Sequence, residues 1–233
     1  MNPPPAIDDA LREEVAAVYA CYRALRPGSG LGGIFLFADE LGTASSQMLR
    51  AASIAGAASL AASSSPEICK KTLHSGAADF LVTSLDEALR ILKNEIRKKL
   101  PVAVVVQQPA EAIAAAMLTR GVQPDLLTPA LEAASATRKG FEQLGASVIQ
   151  PATLPANEDF HLWPLHPGWL HHAAELEALI AALQPALGEA ERRWLRLSPR
   201  YLSARARRLR SLGCDEQTAA QLGALFRIAP SGS

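Results

Sequence analysis

A short valine-rich run in the middle of the chain constrains the fold more than any other feature of the sequence. Residues 102–106 read VAVVV and carry no polar side chain. A strand with one solvated face alternates apolar and polar residues, so this run indicates a strand that is buried on both faces. Strands of that kind belong to parallel sheets that helices cover on both sides. The run therefore predicts a parallel sheet within an α/β domain.

Strand and helix signals alternate on both sides of this run. Apolar strand signals occur at residues 34–37, 59–63, 80–82, 102–106, 125–127 and 147–149. Helix signals fall between them, at residues 45–56, 65–75, 84–99, 110–120 and 131–144. Two helix starts are explicit, because Ser65 and Ser84 are N-cap residues followed by acids in the first turn. The alternation predicts a doubly wound, Rossmann-like parallel sheet.

The two ends of the chain differ from this middle part. Helical periodicity over residues 7–25 predicts an N-terminal helix, and a turn completes the N-terminal segment, residues 1–32. The α/β domain is predicted over 33–150, followed by a linker at 151–169 that is rich in proline and aromatic residues. The rest, 170–233, is predicted as a C-terminal helical region. Its predicted helices are 170–187, 191–212 and 215–226.

Composition and charge narrow the classes of function. The chain has 23 basic and 23 acidic residues, so it carries no overall bias toward nucleic acid or anionic membranes. Its three cysteines are far apart, which argues against a disulfide framework and a zinc knuckle. The N-terminus lacks an apolar signal segment, and the weakly polar run at 51–65 is too polar to span a bilayer. We therefore expect a cytoplasmic protein without membrane association.

Several motifs in the α/β part carry a family resemblance. They read SLDEAL at 84–89, PVAVVV at 101–106 and RGVQPDLLT at 120–128, with AGA at 55–57 in addition. Through these motifs the stretch 33–128 resembles the dinucleotide-binding, Rossmann-like domain of urocanase (urocanate hydratase). Residues before 33 and after 150 show no such resemblance. The resemblance implies a nucleotide-binding sheet, since urocanase hydrates urocanate with tightly bound NAD as the electrophile.

The loop after the first predicted strand departs from the family pattern. Urocanases have a dense glycine run there, GGLGGMGG, and glycines let backbone N–H groups approach a pyrophosphate. Residues 39–46 of this chain read DELGTASS, so that Leu41 and Gly42 match and the other glycines are replaced. Asp39 and Glu40 bring negative charge to the place where the resemblance puts the pyrophosphate.

Other nucleotide contacts of the family are replaced as well. Ser63 stands where an acid would bind the ribose diol, and Gln108 and Pro109 stand where the family has Gly-Asn. The segment TDQTS of the family becomes TPALE at residues 128–132. We therefore predict degenerate cofactor motifs and no cofactor, with NAD as the alternative that the family resemblance offers.

The carboxyl ends of the predicted strands still form a candidate ligand crevice, because open α/β sheets bind ligands at that edge. Backbone N–H groups after Gly42 could hold a small anion, although Ser45 also suits a plain helix cap. Ser63 could contact a ribose 2′-phosphate together with Lys70 and Lys71, or it could belong only to a helix cap. The candidate residues are Gly42, Thr43, Ser45, Ser46, Ser63, Gln107, Gln108 and Thr128.

Near the C-terminus lies a basic stretch with no acid in it, and it predicts an interaction or packing helix. Such a stretch can bind nucleic acid, acidic protein or anionic lipid, or can cover apolar surface with its arginine stems. The arginines are Arg192, Arg193, Arg196, Arg200, Arg205, Arg207, Arg208 and Arg210.

Four histidines between residues 161 and 172 lack the ligand spacing of a zinc site, so we predict no metal.

Three functions agree with these observations, and we rank them. The first is a non-catalytic relative of urocanase that serves binding or protein interaction, with a homo-oligomer or protein partner. The second is a small enzyme or sensor that uses the crevice for a small anionic ligand. The third is a nucleic-acid-associated protein that uses the arginine-rich stretch. The sequence contains no Ser-His-Asp or Cys-His arrangement that supports nucleophilic catalysis, so catalysis is not expected.

Overall fold

The computed structural model describes residues 7–129, 135–150, 158–183 and 187–228. The chain divides into two compact units. The first, which we call the sheet unit, is Cys21–Ala152, and the second, the terminal unit, combines Met1–Ala20 with Thr153–Ser233. The boundary between the two units, between Ala20 and Cys21, falls within helix α1 (Asp9–Leu25). Its predicted apolar face is confirmed, because Leu11, Val15, Val18, Tyr22 and Leu25 are all buried.

The sheet unit contains a parallel six-stranded sheet in the order β3-β4-β2-β1-β5-β6. Its strands are β1 (Phe35–Glu40), β2 (Ala58–Ala62), β3 (Phe80–Val82), β4 (Val102–Val106), β5 (Leu126–Leu127) and β6 (Ser147–Val148). Its helices besides α1 are α2 (Thr43–Ala55), α3 (Pro66–His74), α4 (Leu85–Lys98), α5 (Ala110–Thr119) and α6 (Ala136–Gln143). The predicted Rossmann-like α/β fold is confirmed.

Helices cover both faces of this sheet. Alternate strand residues, such as Val104 and Val105, enter two separate apolar clusters because successive side chains of a strand point to opposite faces. One cluster joins the strands to α4, α5 and α6, and the other joins them to α2 and α3. Every residue of β4 is buried, as the valine run predicts. The sheet is therefore doubly wound.

The predicted helix boundaries hold to within a few residues because most of their signals are local. Ser65 and Ser84 are the N-caps of α3 and α4, and their hydroxyls accept from Ile68 N and Glu87 N. Gly56 ends α2 in the left-handed conformation, at φ 97°, where a side chain would be strained. Part of the helix predicted at 131–144 lies outside the described residues, and α6 accounts for the remainder.

The side of the sheet on which successive strands are added changes at β1. The chain moves from β1 through α2 to β2 on one side, and later from β4 through α5 to β5 on the other side. In doubly wound sheets a crevice opens at such a switch point, outside the carboxyl ends of the strands. The loops after β1 and β5 therefore border the crevice of this fold.

The terminal unit contains a two-stranded antiparallel sheet of β7 (Asp159–Pro164) and β8 (Leu209–Cys214). Its helices are α7 (Ala173–Ala182), α8 (Glu189–Tyr201) and α9 (Glu216–Arg227), with 3₁₀ turns at Pro167–Leu170 and Ala206–Arg208. Trp194 of α8 donates its ring N–H to the Ser211 carbonyl of β8 at 2.7 Å. Tyr19 of α1 contacts the rings of both Phe160 and Trp194.

Two predictions in this part are wrong. The segment predicted as a linker, 151–169, contains β7, although residues 151–157 of it lie outside the described residues. The helix predicted at 191–212 ends at Tyr201, and its last residues form β8 instead. Pro199 stands in the last turn of α8 and favours an end there. The partner of β8 is β7, which is distant in sequence, so no local pattern signals the pairing.

None of the described helices is long and apolar enough to cross a membrane.

Two aspartates hold the amino ends of neighbouring strands together. The Asp125 carboxylate accepts from the Phe35 N–H at 2.7 Å, and the Asp125 N–H donates to the Phe35 carbonyl at 2.8 Å. Asp79 makes the same pair of hydrogen bonds with Ala103, both at 2.8 Å. Asp125 therefore fixes where β5 starts beside β1, and Asp79 fixes where β3 starts beside β4.

We predict that Asp125→Ala destabilises the protein by about 1–3 kcal/mol, because the Phe35 N–H loses its acceptor at a buried residue. Urea unfolding of the whole chain measures the change. Asp86→Ala is the control, since Asp86 forms an exposed ion pair with Arg120 and such pairs contribute little. Equal destabilisation by both substitutions would contradict this role for Asp125.

Candidate functional site

All the predicted crevice residues lie at the carboxyl edge of the sheet. Four follow β1, one follows β2, two follow β4 and one follows β5. In chain order these are Gly42, Thr43, Ser45 and Ser46, then Ser63, then Gln107 and Gln108, and then Thr128. The structure thus places them at one edge of one sheet. Whether they bind a ligand stays a prediction.

Two serines in the first turn of α2 bond back to the chain that leads into the helix. Ser45 donates to the Glu40 carbonyl at 2.5 Å, and Ser46 donates to the Gly42 carbonyl at 2.7 Å. The expected helix cap by Ser45 is wrong, because Gly42 is the N-cap and has no side chain to accept from the first turn. Thr43 is exposed at the helix start. The hydroxyls of Ser45 and Ser46 thus have backbone acceptors at the end of β1 and at the N-cap of α2.

Acidic groups surround this loop. Asp39 is half-buried and has a left-handed backbone, at φ 61°, beside a register shift in the pairing of β1 with β2. Burial raises the pKa of the Asp39 carboxyl, and the charges of Glu40 and Glu111 raise it further, while a hydrogen bond with the Glu40 backbone lowers it. Mutual repulsion of these carboxylates thus opposes the ionisation of Asp39, shortly before α2 begins.

Glu111 was missed by the sequence analysis. It lies in the first turn of α5, directly after β4, and so at the same edge of the sheet as Asp39. Thr137 of α6 donates its hydroxyl to Glu111 at 3.0 Å. An acid in the first turn of a helix is common for reasons of helix stability, so the sequence signal was not specific. Its influence on Asp39 depends on the strand order, which places the end of β4 two strands away from β1.

Two other candidate residues have structural partners. Ser63 is buried, and its hydroxyl accepts from the Ser65 N–H at 3.3 Å. This hydrogen bond favours the helix-cap interpretation of Ser63 over contact with a ribose 2′-phosphate. Gln108 donates its side-chain amide to the Thr83 carbonyl at 2.6 Å and thereby joins the loops after β4 and β3.

Thr128 differs from the other candidates. It is 4% exposed, and its hydroxyl oxygen is buried without a hydrogen-bond partner among the described residues. Its N–H donates to the Phe37 carbonyl of β1 at 3.3 Å, so the residue stands at the switch point itself. A buried hydroxyl without a partner costs about 1–3 kcal/mol unless something satisfies it. Thr128 is therefore a crevice residue whose buried hydroxyl has no hydrogen bond among the described residues.

The residues at this edge do not fit the pyrophosphate and ribose of a dinucleotide. A pyrophosphate needs converging N–H donors and no nearby negative charge, whereas Asp39, Glu40 and Glu111 are acids. A Cβ added to Gly42 would meet no atom within 4 Å, so nothing in the loop itself requires a glycine at this position. The Ser63 hydroxyl, at the ribose position, already serves a backbone N–H.

The arginine-rich stretch does not form one helix, and this prediction is corrected. Arg192, Arg193, Arg196 and Arg200 belong to α8, whereas Arg205 precedes a 3₁₀ turn that contains Arg207 and Arg208, and Arg210 lies in β8. Their side chains also differ in exposure and partners. Arg192 donates to the Leu187 carbonyl, Arg205 pairs with Asp8 at 2.6 Å, and Arg210 is buried. The single exposed stripe that would favour nucleic acid is not formed.

The clustered histidines have local partners. His166 accepts from the Gly168 N–H at 3.1 Å, and His172 contacts Glu175 at 2.8 Å. The His161 ring stacks on Trp163. No group of three or more potential metal ligands occurs within the part of the chain that the structure describes.

The motifs that carry the family resemblance perform structural tasks in this chain. Asp86 of the SLDEAL motif pairs with Arg120, the first residue of the RGVQPD motif. Gly121 follows α5 with a positive φ of 65°, and Asp125 joins β5 to β1. The model of the urocanase Rossmann-like domain matches residues 15–156, which is more than half of the chain. The match thus begins within α1, earlier than the resemblance recognised from the motifs.

We predict that Asp39→Asn raises the unfolding midpoint at neutral pH. The folded-state pKa of Asp39 lies above the ordinary value of 3.8, so the folded protein binds this proton more tightly than the unfolded chain does. Ionisation therefore costs stability, and the cost grows as the pH rises from 3.8 through the folded-state pKa. Thermal unfolding across this pH range measures the effect, which should vanish below pH 3.8.

Glu67→Gln provides the control for this measurement. Glu67 is an exposed acid in the first turn of α3, where a negative charge stabilises the helix. Its neutralisation should leave the midpoint unchanged or lower it slightly at neutral pH. If Asp39→Asn lowers the midpoint in the same way, the Asp39 carboxylate stabilises the loop and our account of it is wrong.

Proposed function

Because the chain belongs to the urocanase Rossmann-like domain family, we propose that it keeps the family's fold for protein interaction and has lost NAD-dependent catalysis. The observation that carries this proposal is the acidic loop at the switch point. Asp39 and Glu40 precede the helix start that the family uses for the pyrophosphate, and the charge of Glu111 acts on Asp39. The proposal concerns the sheet unit, which contains most of the family match.

Repulsion between carboxylates and a pyrophosphate supports the proposed loss of NAD binding. Two unit charges of like sign at ~4 Å repel by about 1 kcal/mol in water and by about 4 kcal/mol near a protein surface. A pyrophosphate beside Asp39 and Glu40 would meet that repulsion and would also lack the N–H donors of a glycine loop. At about 1.4 kcal/mol per tenfold, these effects together weaken binding by several orders of magnitude.

The remaining aspects of the function are inferred in the same way. We infer that the protein works in the cytoplasm, which its three free cysteines support. We also infer that it is not an enzyme, and that it uses neither a metal nor a membrane. Nucleic acid is not favoured as a partner, since the arginines are divided among α8, a 3₁₀ turn and β8.

We predict that NAD does not bind measurably to the wild-type chain and does not copurify with it. Isothermal titration with NAD, with and without urocanate, and native mass spectrometry of the purified protein measure this. The variant Asp39→Gly with Glu40→Gly removes two acids and restores backbone access, so we expect weak NAD binding to appear. Glu67→Gln is the charge control and should gain nothing. Micromolar binding by the wild type would contradict the proposal.

The open edge of the sheet offers an interaction surface. β3 is the terminal strand, and beyond β4 it has no partner strand among the described residues. Phe80 in β3 is 47% exposed, and it borders a groove of about 810 Å³ between β3 and α4. The groove is lined by Asp79, Phe80, Arg90, Ile91, Asn94, Glu95, Pro101 and Val102. An exposed strand edge with an aromatic side chain is a template for pairing with another strand.

We propose that a second copy of this chain pairs with β3. An edge strand can pair antiparallel with its own copy across a two-fold axis, which makes the contact self-complementary. The groove contains the basic Arg90 and the acidic Asp79 and Glu95. Such a two-fold arrangement lets the basic side chain of each copy approach the acidic ones of the other. Charge complementarity therefore favours a homodimer over a strongly charged foreign partner.

We predict that Phe80→Asp converts a wild-type dimer into a monomer, because it places a charge in the apolar centre of the pairing. Sedimentation velocity over a wide range of protein concentration measures the change. Leu144→Asp is the matched control, since Leu144 is 49% exposed and precedes β6 at the opposite edge of the sheet. A wild type that is monomeric at every concentration, or equal effects of both substitutions, would exclude this interface.

Thr128 favours a second candidate function, namely a sensor for a small ligand in the crevice. Its buried hydroxyl has no partner among the described residues, so a ligand could satisfy it. The neighbouring carboxylates favour a neutral or cationic ligand over an anionic one. Native mass spectrometry distinguishes the two functions, because a sensor purified from cells would carry a retained ligand that Thr128→Val releases.

A further inference from the structure

The terminal unit contains a second group of polar side chains with buried nitrogen atoms, on one face of its two-stranded sheet. The register places Arg210 opposite Trp163, and Leu212 opposite His161. Residues directly opposite each other in an antiparallel pair share a face, so His161, Trp163 and Arg210 lie on the same side. Helix α9 covers this side, with the Phe226 ring 5.8 Å from that of Trp163.

Arg210 is a buried cation without a counter-charge. It is 9% exposed, its Nη1 donates to the Leu209 carbonyl at 2.9 Å, and its Nε is buried without a partner. No carboxylate among the described residues forms an ion pair with it. Burial lowers the pKa of the guanidinium to about 10, so it remains charged at neutral pH. An unpaired buried charge is strongly unfavourable unless a counter-charge is supplied.

His161 presents a second unpartnered nitrogen on the same face. Its Nε2 is buried and has no hydrogen-bond partner among the described residues. Its ring is held by stacking on Trp163, with ring centres 5.8 Å apart and planes at 13°. His161 and Arg210 are diagonal neighbours across the strand pair, where Cα atoms lie roughly 7–8 Å apart and long side chains reach one another.

The acids of this region gather at the other end of the strand pair. Asp159 lies opposite Cys214, and burial together with the charges of Asp215, Glu158 and Glu216 raises the pKa of the Cys214 thiol to about 11. Cys214 is four residues from Arg210 along β8, which is about 13 Å in an extended strand. The Arg210 end of the face is thus positive while the Cys214 end is negative.

We propose that Arg210 and His161 form a binding site for an oxyanion, the carboxylate or phosphate group of a small ligand. The guanidinium edge formed by Nε and an Nη matches two oxygens of such a group. Nε2 of His161, when it carries the proton, donates to the same group. A bridging water could accept hydrogen bonds from both Arg210 Nε and His161 Nε2. It would still leave the buried charge of Arg210 without a counter-charge.

Titration of the whole chain with inorganic phosphate and with acetate tests the site. The ionic strength is held constant with sodium chloride, and thermal unfolding and calorimetry are recorded. We expect a saturable rise of the unfolding midpoint with at least one of the two anions, since a ligand that binds the folded state stabilises it. Comparison of phosphate with acetate identifies which kind of oxyanion the site prefers.

Matched variants assign the response to these residues. Arg210→Met should weaken anion binding by about a hundredfold or more, because two charge-assisted hydrogen bonds are lost. Without anion its midpoint should equal or exceed that of the wild type, since a buried unpaired charge has been removed. His161→Phe keeps the stacking on Trp163 and should weaken binding about tenfold. Arg200→Met makes the same charge change at an exposed position and should bind normally.

Several results would overturn the proposal. One is a wild type with no saturable response to either anion, and another is an Arg210→Met variant that keeps the response. A crystal structure grown in phosphate that shows only water on Arg210 Nε and His161 Nε2 would also exclude the site. If Arg210→Met does not fold, Arg210→Lys retains the charge without the planar fork. In that case normal binding by the Lys variant would exclude the bidentate contact.

Discussion

The structure depends on the parallel pairing of β1, β2 and β4 in the centre of the sheet. All residues of β2 and β4 are buried, and small residues predominate in β2. Such strands cannot expose a polar face, so helices must cover both sides. That requirement places the carboxyl ends of β1, β2, β4 and β5 at one edge and thereby creates the crevice, whatever the loops contain. The fold and the site are therefore separable.

This separation explains how the chain can belong to the urocanase Rossmann-like domain family although residues 39–46 read DELGTASS where urocanases have a glycine run. The preserved motifs act in the scaffold. Asp125 joins β5 to β1, Arg120 pairs with Asp86, and Gly121 ends α5. The replaced residues lie outside the apolar core, as Asp39 does near the end of β1, so that their substitution leaves that core intact. A family match of this kind is evidence for architecture, and function must be argued from the site.

The sheet unit could be predicted from the sequence because its signals are local. Apolar runs mark β2 and β4, and Ser65 and Ser84 mark helix starts within a few residues. The pairing of β7 with β8 could not be predicted, because it depends on partners that are distant in sequence and because a run rich in arginine and leucine suits a helix equally well. The influence of Glu111 on Asp39 likewise depends on strand order.

A net charge of zero conceals opposite local charges in the two units. In the sheet unit, the charges of Glu40 and Glu111 act on Asp39 at the carboxyl edge of the sheet. In the terminal unit, Arg210 is positive, buried and without a counter-charge among the described residues. Desolvated charges cost free energy, and a sequence selected for stability alone would replace them with apolar residues. The buried charge of Arg210 therefore supports our proposal of an oxyanion site in the terminal unit, whereas the acids of the sheet unit support the proposed loss of NAD.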